Sequence, residues 1–327
     1  MSQISIVSKF EKKNWIITGA NGYVGGELCR AIHQRGGTVL AFARTGRALT
    51  NLEKMGISCY TYESLSSVLS RGDVFVHCAG KVGSRDSWDE FVSINRDWTE
   101  ALFEKASACG IRCFIYVSSV AALGYKNRPG NKNLDELSPP TLVEGERYGR
   151  SKWLAEQVLR ERAKDASTRL IILRPGLIYG RRPFGRSQTW LRRGFVVDPD
   201  QRIPLVHIDS FIDAVVRVSE HSEASGIFLV VDEEQPTLRD LNMLKMRYGL
   251  LRFAPWRIGK MGFWLLWFLR SIVRLLRGRA DEVSIVNAFA EFYFRTRRLR
   301  YSTQKLRSQV GWTPAVSLQD ALKAWRR

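Results

Sequence analysis

The 327 residues predict an α/β fold, a doubly wound parallel sheet followed by a smaller C-terminal lobe. Two observations predict it. Short apolar runs without polar alternation recur between longer helical stretches, which marks strands covered on both faces. A turn with glycines at 19, 22 and 25 stands between the first such run and the first helical stretch. A hydrophobic content of 45% with 25% charged residues is that of a folded chain and excludes general disorder.

The elements follow in order. Trp15-Ile16-Ile17 reads as a strand and Gly25 to Gln34 as the helix behind it. Thr38 to Ala43 and Val74 to His77 are further strands, the latter followed by a helix through Asp97 to Lys105. Cys113 to Val117 is a strand, Tyr148 to Ala163 a helix, and Leu170 to Leu173 a strand again. Residues 1–180 therefore form the sheet domain. Ile203 to Val218 and Ile227 to Val231 read as returning segments, within about 203–232. Residues 181–202 and 233–327 are left to build the lobe. On open sheets of this kind ligands sit beyond the carboxyl ends of the strands, where Gly19 and Ser119 both fall.

The glycine turn, Thr18-Gly19-Ala20-Asn21-Gly22-Tyr23-Val24-Gly25, has the form that cradles a dinucleotide pyrophosphate. Its first glycine permits a tight turn and its second a close approach of backbone to phosphate. The third allows the helix to pack on the strand, and the helix N-terminus faces the negative charge. The second strand ends Phe42-Ala43-Arg44, without the acid that bonds the ribose 2′-hydroxyl of NAD; Arg44 beside that place favours NADP over NAD.

Tyr148 and Lys152 are four residues apart, so one helix face carries both. A free phenol, with a pKa of about 10, is a poor base at neutral pH, and a neighbouring ammonium favours the phenolate. Ser119, at a strand end, can hold a substrate oxygen, and Lys152 can also bind ribose hydroxyls.

The formal charge is +19, with 16 Lys+Arg against 4 Asp+Glu from Leu251 onward. Such a skew attracts anions. No recognised nucleic-acid-binding motif accompanies it, so nucleic acid ranks last among the anionic partners. The five cysteines show no CxxC pair and no His-rich partner, which argues against zinc and suits reduced, buried thiols in the cytoplasm. Met1 to Trp15 carries Lys9, Glu11, Lys12 and Lys13 but no apolar run, unlike a signal peptide.

These motifs together resemble the extended short-chain dehydrogenase/reductase superfamily, from about Asn14 to Trp312. TGANGYVG is similar to its cofactor turn, which implies contacts from Gly19, Asn21, Gly22, Tyr23, Val24 and Gly25. VFVHCAG is similar to its strand-four segment and places Ala79 and Gly80 beside the cofactor. INRDWT resembles its asparagine motif, carried by Asn95, with Trp98 in place of the usual glycine. YVSSVAALG resembles the catalytic-serine strand; counting back from Gly124 selects Ser119 over Ser118. YGRSK matches the Tyr148/Lys152 pair, and LRPGLIYG, with Pro175, resembles the segment that wraps the nicotinamide. PLVHIDSFIDAVV and GWTP are late landmarks of the extended subgroup. The resemblance implies a Rossmann domain, a Ser119/Tyr148/Lys152 catalytic set and a small-molecule substrate. His207 and His77 are expected to be packing residues. A homodimer through paired helices is common in that superfamily.

Three functions are compatible with the resemblance. The first is an NAD(P)-dependent oxidoreductase of the 3β-hydroxysteroid-dehydrogenase-like branch, acting on a secondary alcohol or ketone of an apolar molecule. The segment 256–279 supports it, with Met261 to Leu269 apolar, Arg270, Arg274 and Arg277 at helical spacing, and leucines on the other side. The apolar run Met261 to Leu269 is far shorter than the roughly 20 residues of a membrane span, and the segment's pattern suits either peripheral association with an anionic membrane or a packed lid. The second is a nucleotide-sugar epimerase or 4-keto reductase, in which Arg181, Arg182, Arg186, Arg192 and Arg193 meet a diphosphate. The third is a non-catalytic dinucleotide-binding protein, which the retained Tyr148 and Lys152 disfavour.

Overall fold

The computed structural model describes residues 13–82, 87–126, 133–180, 196–251, 257–276 and 285–325. It divides into two compact units: Met1–Val117 with Leu154–Leu173 and Val218–Gly226, and Ser118–Trp153 with Arg174–Arg217 and Ile227–Arg327.

Seven strands form the main sheet: β1 (Asn14–Thr18), β2 (Thr38–Ala43), β3 (Ser58–Thr61), β4 (Val74–His77), β5 (Cys113–Val117), β7 (Arg169–Pro175) and β10 (Gly226–Val230). Their order is β10-β7-β5-β4-β1-β2-β3. The pairings of β1 with β2 and β4, of β2 with β3, and of β5 with β4 and β7 are all parallel. The strand order reverses at β1/β4, the switch point where doubly wound sheets bind ligands. Ile16, Ile17, Phe42, Phe75, Val76, Phe114 and Ile115 are fully buried, so both faces of the sheet are covered. Phe75 stacks on Phe114 with ring centroids 4.9 Å apart.

Helix α1 (Tyr23–Gln34) follows β1. After β4 the chain makes the helix expected through Asp97 to Lys105, from Trp98 onward, and adds helical structure before it. It forms α2 (Trp88–Val92), a wide π-helical turn over Ser93–Asp97, and then α3 (Trp98–Ala108). Helix α4 (Arg147–Arg162) precedes β7.

In the second unit, the short strands β6 (Asn133–Leu134) and β11 (Arg300–Tyr301) pair in parallel, as do β8 (Leu177–Tyr179) and β9 (Leu205–His207). The expectation that residues 203–218 return to the main sheet is corrected here. Only three of them extend, and they pair with β8; α5 (Ile208–Glu220) takes up the rest. Ile227 to Val230 belong to β10, as expected.

Tyr179, Val196, Ile203 and Leu205 build one core cluster with Leu238 and Leu241 of α6 (Leu238–Arg247). Trp312 is fully buried, and its Nε1 donates to the Ser210 carbonyl at 2.9 Å.

Two helices stand out by composition. Along α7 (Gly259–Leu276), Phe263 and Trp264 pack against Phe292 of α8 (Ile285–Thr296), with centroids 5.7 and 5.3 Å away. Met261, Leu265, Phe268, Leu269, Ile272 and Leu276 recur at helical spacing on another face, and all are exposed. No helix among the described residues is long and apolar enough to cross a membrane. Arg277 and the rest of the basic segment to 279 lie outside the described residues, as do 181–195 with their five arginines. None of the five cysteines forms a disulfide; Cys29 and Cys113 are buried, whereas Cys109 is exposed, against the expectation of burial throughout.

Candidate active site

One group of candidate residues is built at the switch point. Gly19 has φ +68°, a conformation open to glycine, and a Cβ there would lie 2.7 Å from the Ala79 backbone nitrogen. The turn after β1 thus rests directly on the loop after β4. A Cβ on Gly25 would collide with the Gly19 carbonyl oxygen, and one on Gly22 would stand 3.1 Å from that atom. Gly22 is the N-cap of α1 and gives no side-chain cap, so no capping side chain competes with a ligand at the first turn of the helix. Asn21, Gly22 and Tyr23 are exposed, and Val24 is half-buried. These residues fit a dinucleotide pyrophosphate: the glycines provide the space and the helix provides the donors. Arg44 is exposed immediately after β2.

A hydrogen-bonded network holds this group in place. His77 is fully buried, with Nδ1 2.7 Å from Thr18 Oγ1 and Nε2 3.0 Å from Thr99 Oγ1. Thr99 donates its own proton to the Asn95 carbonyl at 2.8 Å, so Nε2 carries the imidazole proton and Nδ1 accepts from Thr18. His77 therefore ties β1, β4 and α3 together, a packing role. Asn95, in the π turn and 1% exposed, accepts the Lys81 N–H at 2.6 Å and donates to the Lys81 carbonyl at 3.0 Å. Its amide thus fixes the loop that carries Ala79 and Gly80.

Tyr62 was not singled out in the sequence, and Trp98 stood out there only as a departure from the asparagine motif. Tyr62 accepts the Gly19 N–H at 3.1 Å, and its ring stacks on Phe42. Trp98 stands edge-on to Tyr62 and His77, with centroids 4.8 and 5.2 Å away. That is how the wide turn accommodates an indole where the resembled motif has glycine. Burial pushes the Tyr62 phenol up, partly offset by the Gly19 N–H and by Arg44.

A second group of candidate residues belongs to the other unit. Ser119 follows β5 and caps a short 3₁₀ turn, with its Oγ accepting the Ala121 N–H at 3.1 Å. The Ser119 hydroxyl also hydrogen-bonds Tyr148. Tyr148 and Lys152 lie one turn apart on α4, whose first turn packs closely: Gly149 leaves no room for a Cβ against the Ala121 carbonyl. Lys152 is 3% exposed. The phenol differs from the sequence expectation. Burial pushes it up to about 12, and the Ser119 hydrogen bond is what opposes the rise. In a desolvated site the loss of water outweighs the neighbouring hydroxyl.

Pro175 ends β7 and is buried. The next peptide is pinned by Gly176 N–H to Val230 O at 3.0 Å and by Leu177 N–H to Pro204 O at 2.6 Å. His207 is 5% exposed, accepts the Asp209 N–H at 3.2 Å, and meets the edge of Tyr179 at 5.2 Å, which is the packing role expected of it.

The model of the NAD dependent epimerase/dehydratase family matches residues 15–230, and the chain belongs to that family. It is an NAD(P)-dependent enzyme of the extended short-chain dehydrogenase/reductase type. The chain is 24% identical to a UDP-glucose 4-epimerase of Vibrio cholerae over 95% of its own length and 94% of the relative's. It is 25% identical to a 2-alkyl-3-oxoalkanoate reductase of Stenotrophomonas maltophilia, over 94% and 97%. Among solved structures it is similar to the UDP-glucuronic acid 4-epimerase of Bacillus cereus in complex with NAD, with TM-score 0.73, 18% identity, and coverage of 96% and 95%.

Proposed function

We propose that the chain interconverts a secondary alcohol and a ketone on an apolar small molecule, with NADP(H) preferred and Tyr148 as the acid/base. The hydrogen bond between Ser119 and Tyr148, with Lys152 one turn further along the same helix, carries this reading. A bound nicotinamide dinucleotide supplies or takes up the hydride. Ser119 Oγ holds the reacting oxygen, and the Tyr148 hydroxyl gives it a proton during reduction. A phenol held near 12 stays protonated at neutral pH and is ready to donate. In the oxidative direction the Lys152 ammonium stabilises the phenolate and, through the ribose hydroxyls, orients the cofactor. Gly19, Asn21, Gly22, Tyr23, Val24 and Gly25 hold the pyrophosphate, and Ala79, Gly80 and Pro175 line the cofactor. Asn95 acts by holding Lys81, and Arg44 meets the 2′-phosphate.

Support for an apolar substrate comes from the relative named a 2-alkyl-3-oxoalkanoate reductase and from the exposed apolar face of α7. We infer that this face lies in the headgroup zone of an anionic membrane, with Lys260 and Arg270 on its flanks, so that substrate is drawn from the bilayer. The match to a UDP-glucose 4-epimerase favours a second reading, epimerisation or 4-keto reduction of a nucleotide sugar. The separating experiment compares Tyr148→Phe and Lys152→Ala with wild type on a panel of ketones with NADPH and on UDP-glucose. Loss of ketone reduction by about 10²-fold or more in Tyr148→Phe, with NADPH still bound, supports the first reading. Interconversion of UDP-glucose and UDP-galactose without net NADPH use replaces it with the second. Unchanged ketone turnover in Tyr148→Phe removes the catalytic role.

A further inference from the structure

Among the buried polar atoms of the second unit that have no hydrogen-bond partner, two adjoin the same tyrosine. Glu146 lies two residues before Tyr148 and is 6% exposed. Its Oε1 accepts the Tyr125 N–H at 3.3 Å, while Oε2 is buried without a partner. Arg297 follows α8 and is 3% exposed. Its Nη1 donates to the Phe294 carbonyl at 2.8 Å, and its guanidinium stands over the rings of Tyr125 and Phe294, 5.0 and 4.2 Å from their centres. Arg297 Nε is likewise buried without a partner. Tyr125 joins the group to the catalytic residues, because its phenol interacts electrostatically with Glu146, Arg297 and Tyr148.

An unsatisfied buried donor or acceptor costs about 1–3 kcal/mol, and more when it is charged. Native structures leave few such atoms, and here an orphaned acceptor and an orphaned donor both belong to residues that contact Tyr125. Packing does not require this: an apolar pair of similar volume would fill the space without the penalty.

We propose that Glu146 and Arg297 form a clamp for a hydroxyl group of the substrate, carried on a carbon close to the one whose oxygen meets Ser119 and Tyr148. A hydroxyl satisfies both orphans, accepting from the Arg297 Nε–H and donating to Glu146 Oε2. A substrate carboxylate is opposed by Glu146 and an ammonium by Arg297, and a hydrocarbon satisfies neither. Burial pushes the Glu146 carboxyl up to about 7, which at neutral pH lets it donate as well as accept. The substrate class is then a hydroxyketone, or the matching diol in the oxidative direction. This assignment rests on the reading that Ser119 and Tyr148 hold the reacting oxygen.

The test uses the full chain with NADPH and matched probes, 2-hydroxycyclohexanone against cyclohexanone and 3-hydroxy-2-butanone against 2-butanone. Wild type is expected to favour the hydroxylated member by about 10²-fold or more in kcat/KM, the scale on which a site built for a hydroxyl rejects its absence. Glu146→Gln and Arg297→Lys, each checked for an unchanged melting temperature and unchanged NADPH affinity, are expected to lose most of that ratio, taken within each variant as kcat/KM on the hydroxylated member over kcat/KM on the plain ketone. Equal kcat/KM for both members in wild type overturns the clamp whether or not the variants fold. Full selectivity retained in folded Glu146→Gln and Arg297→Lys also overturns it. If wild type turns over neither member of any pair, the hydride-transfer reading itself fails and takes the clamp with it; turnover of plain ketones alone refutes only the clamp.

Discussion

Asn95 holds the backbone of Lys81 at both ends, accepting its N–H at 2.6 Å and donating to its carbonyl at 3.0 Å. A side chain in a helical turn thereby sets the position of the loop after β4. Asn95→Ala frees both Lys81 groups in a buried site, which costs about 1–3 kcal/mol of stability. The expected outcome is a lower melting temperature together with an NADPH dissociation constant raised about 10-fold or more, the scale of about 1.4 kcal/mol. Thermal unfolding and cofactor titration measure the two effects separately.

Gly25 and Gly46 give a contrasting pair. A Cβ on Gly25 has the Gly19 carbonyl in its way, whereas one on Gly46 meets nothing within 4 Å. Gly25→Ala is expected to displace the turn and abolish cofactor binding; Gly46→Ala is expected to bind as wild type does. Cofactor titration by protein fluorescence distinguishes them.

Arg44 is exposed at the end of β2, where it can meet a ribose phosphate. Arg44→Ala is expected to raise the KM for NADPH about 10-fold or more while changing that for NADH little, since a single charge-assisted contact is worth about 1.5–3 kcal/mol. A wild-type preference for NADH overturns this assignment.

Asp232 makes stability depend on pH. Burial raises its carboxyl from 3.8 to about 7; Tyr179 Oη donates to Oδ2 at 3.1 Å, and Oδ1 has no partner. Because the folded value lies above the unfolded one, the folded state holds the proton longer. Its contribution is fully present below about pH 4 and is lost as pH rises toward about 7. Asp232→Asn is expected to flatten this decline, which is on the order of 4 kcal/mol, as read from urea unfolding at several pH values.

The exposed face of α7 gives the membrane test. Wild type is expected to float with liposomes that contain anionic lipid and to stay in solution with neutral ones. Leu265→Glu with Phe268→Glu is expected to abolish flotation while ketone reduction in solution persists. Wild type that associates with neither lipid removes the membrane reading.

Much of the sheet was legible in the sequence because β2, β4 and β5 are uninterrupted apolar runs closed by polar residues, and their bounds were read to the residue. Strand β3 was missed. Ser58-Cys59-Tyr60-Thr61 sits at the edge of the sheet, only half-buried, and has no apolar run to reveal it. The run from Ile203 to Ile208 imitates a sheet strand, but its partner is β8 and its buried side chains fill a different core. At the site, the glycine turn and the Tyr148/Lys152 spacing are local patterns and could be read. Tyr62 meets Gly19, and Arg297 meets Tyr125, only after folding, so no spacing pointed to them. Glu146 had one signal, an acid close to Tyr148.

The wide turn at Ser93–Asp97 has an evolutionary consequence. An α-helix of about 3.6 residues per turn overshoots two revolutions across the eight steps from Phe91 to Thr99. The slack turn absorbs part of that excess, so Phe91, Asn95 and Thr99 all stay buried. Removing one residue there, Ile94 for example, would tighten the coil and swing Asn95 off Lys81. Lineages of this chain should therefore tolerate exchange of residue types along Ser93–Asp97 far better than any change in its length.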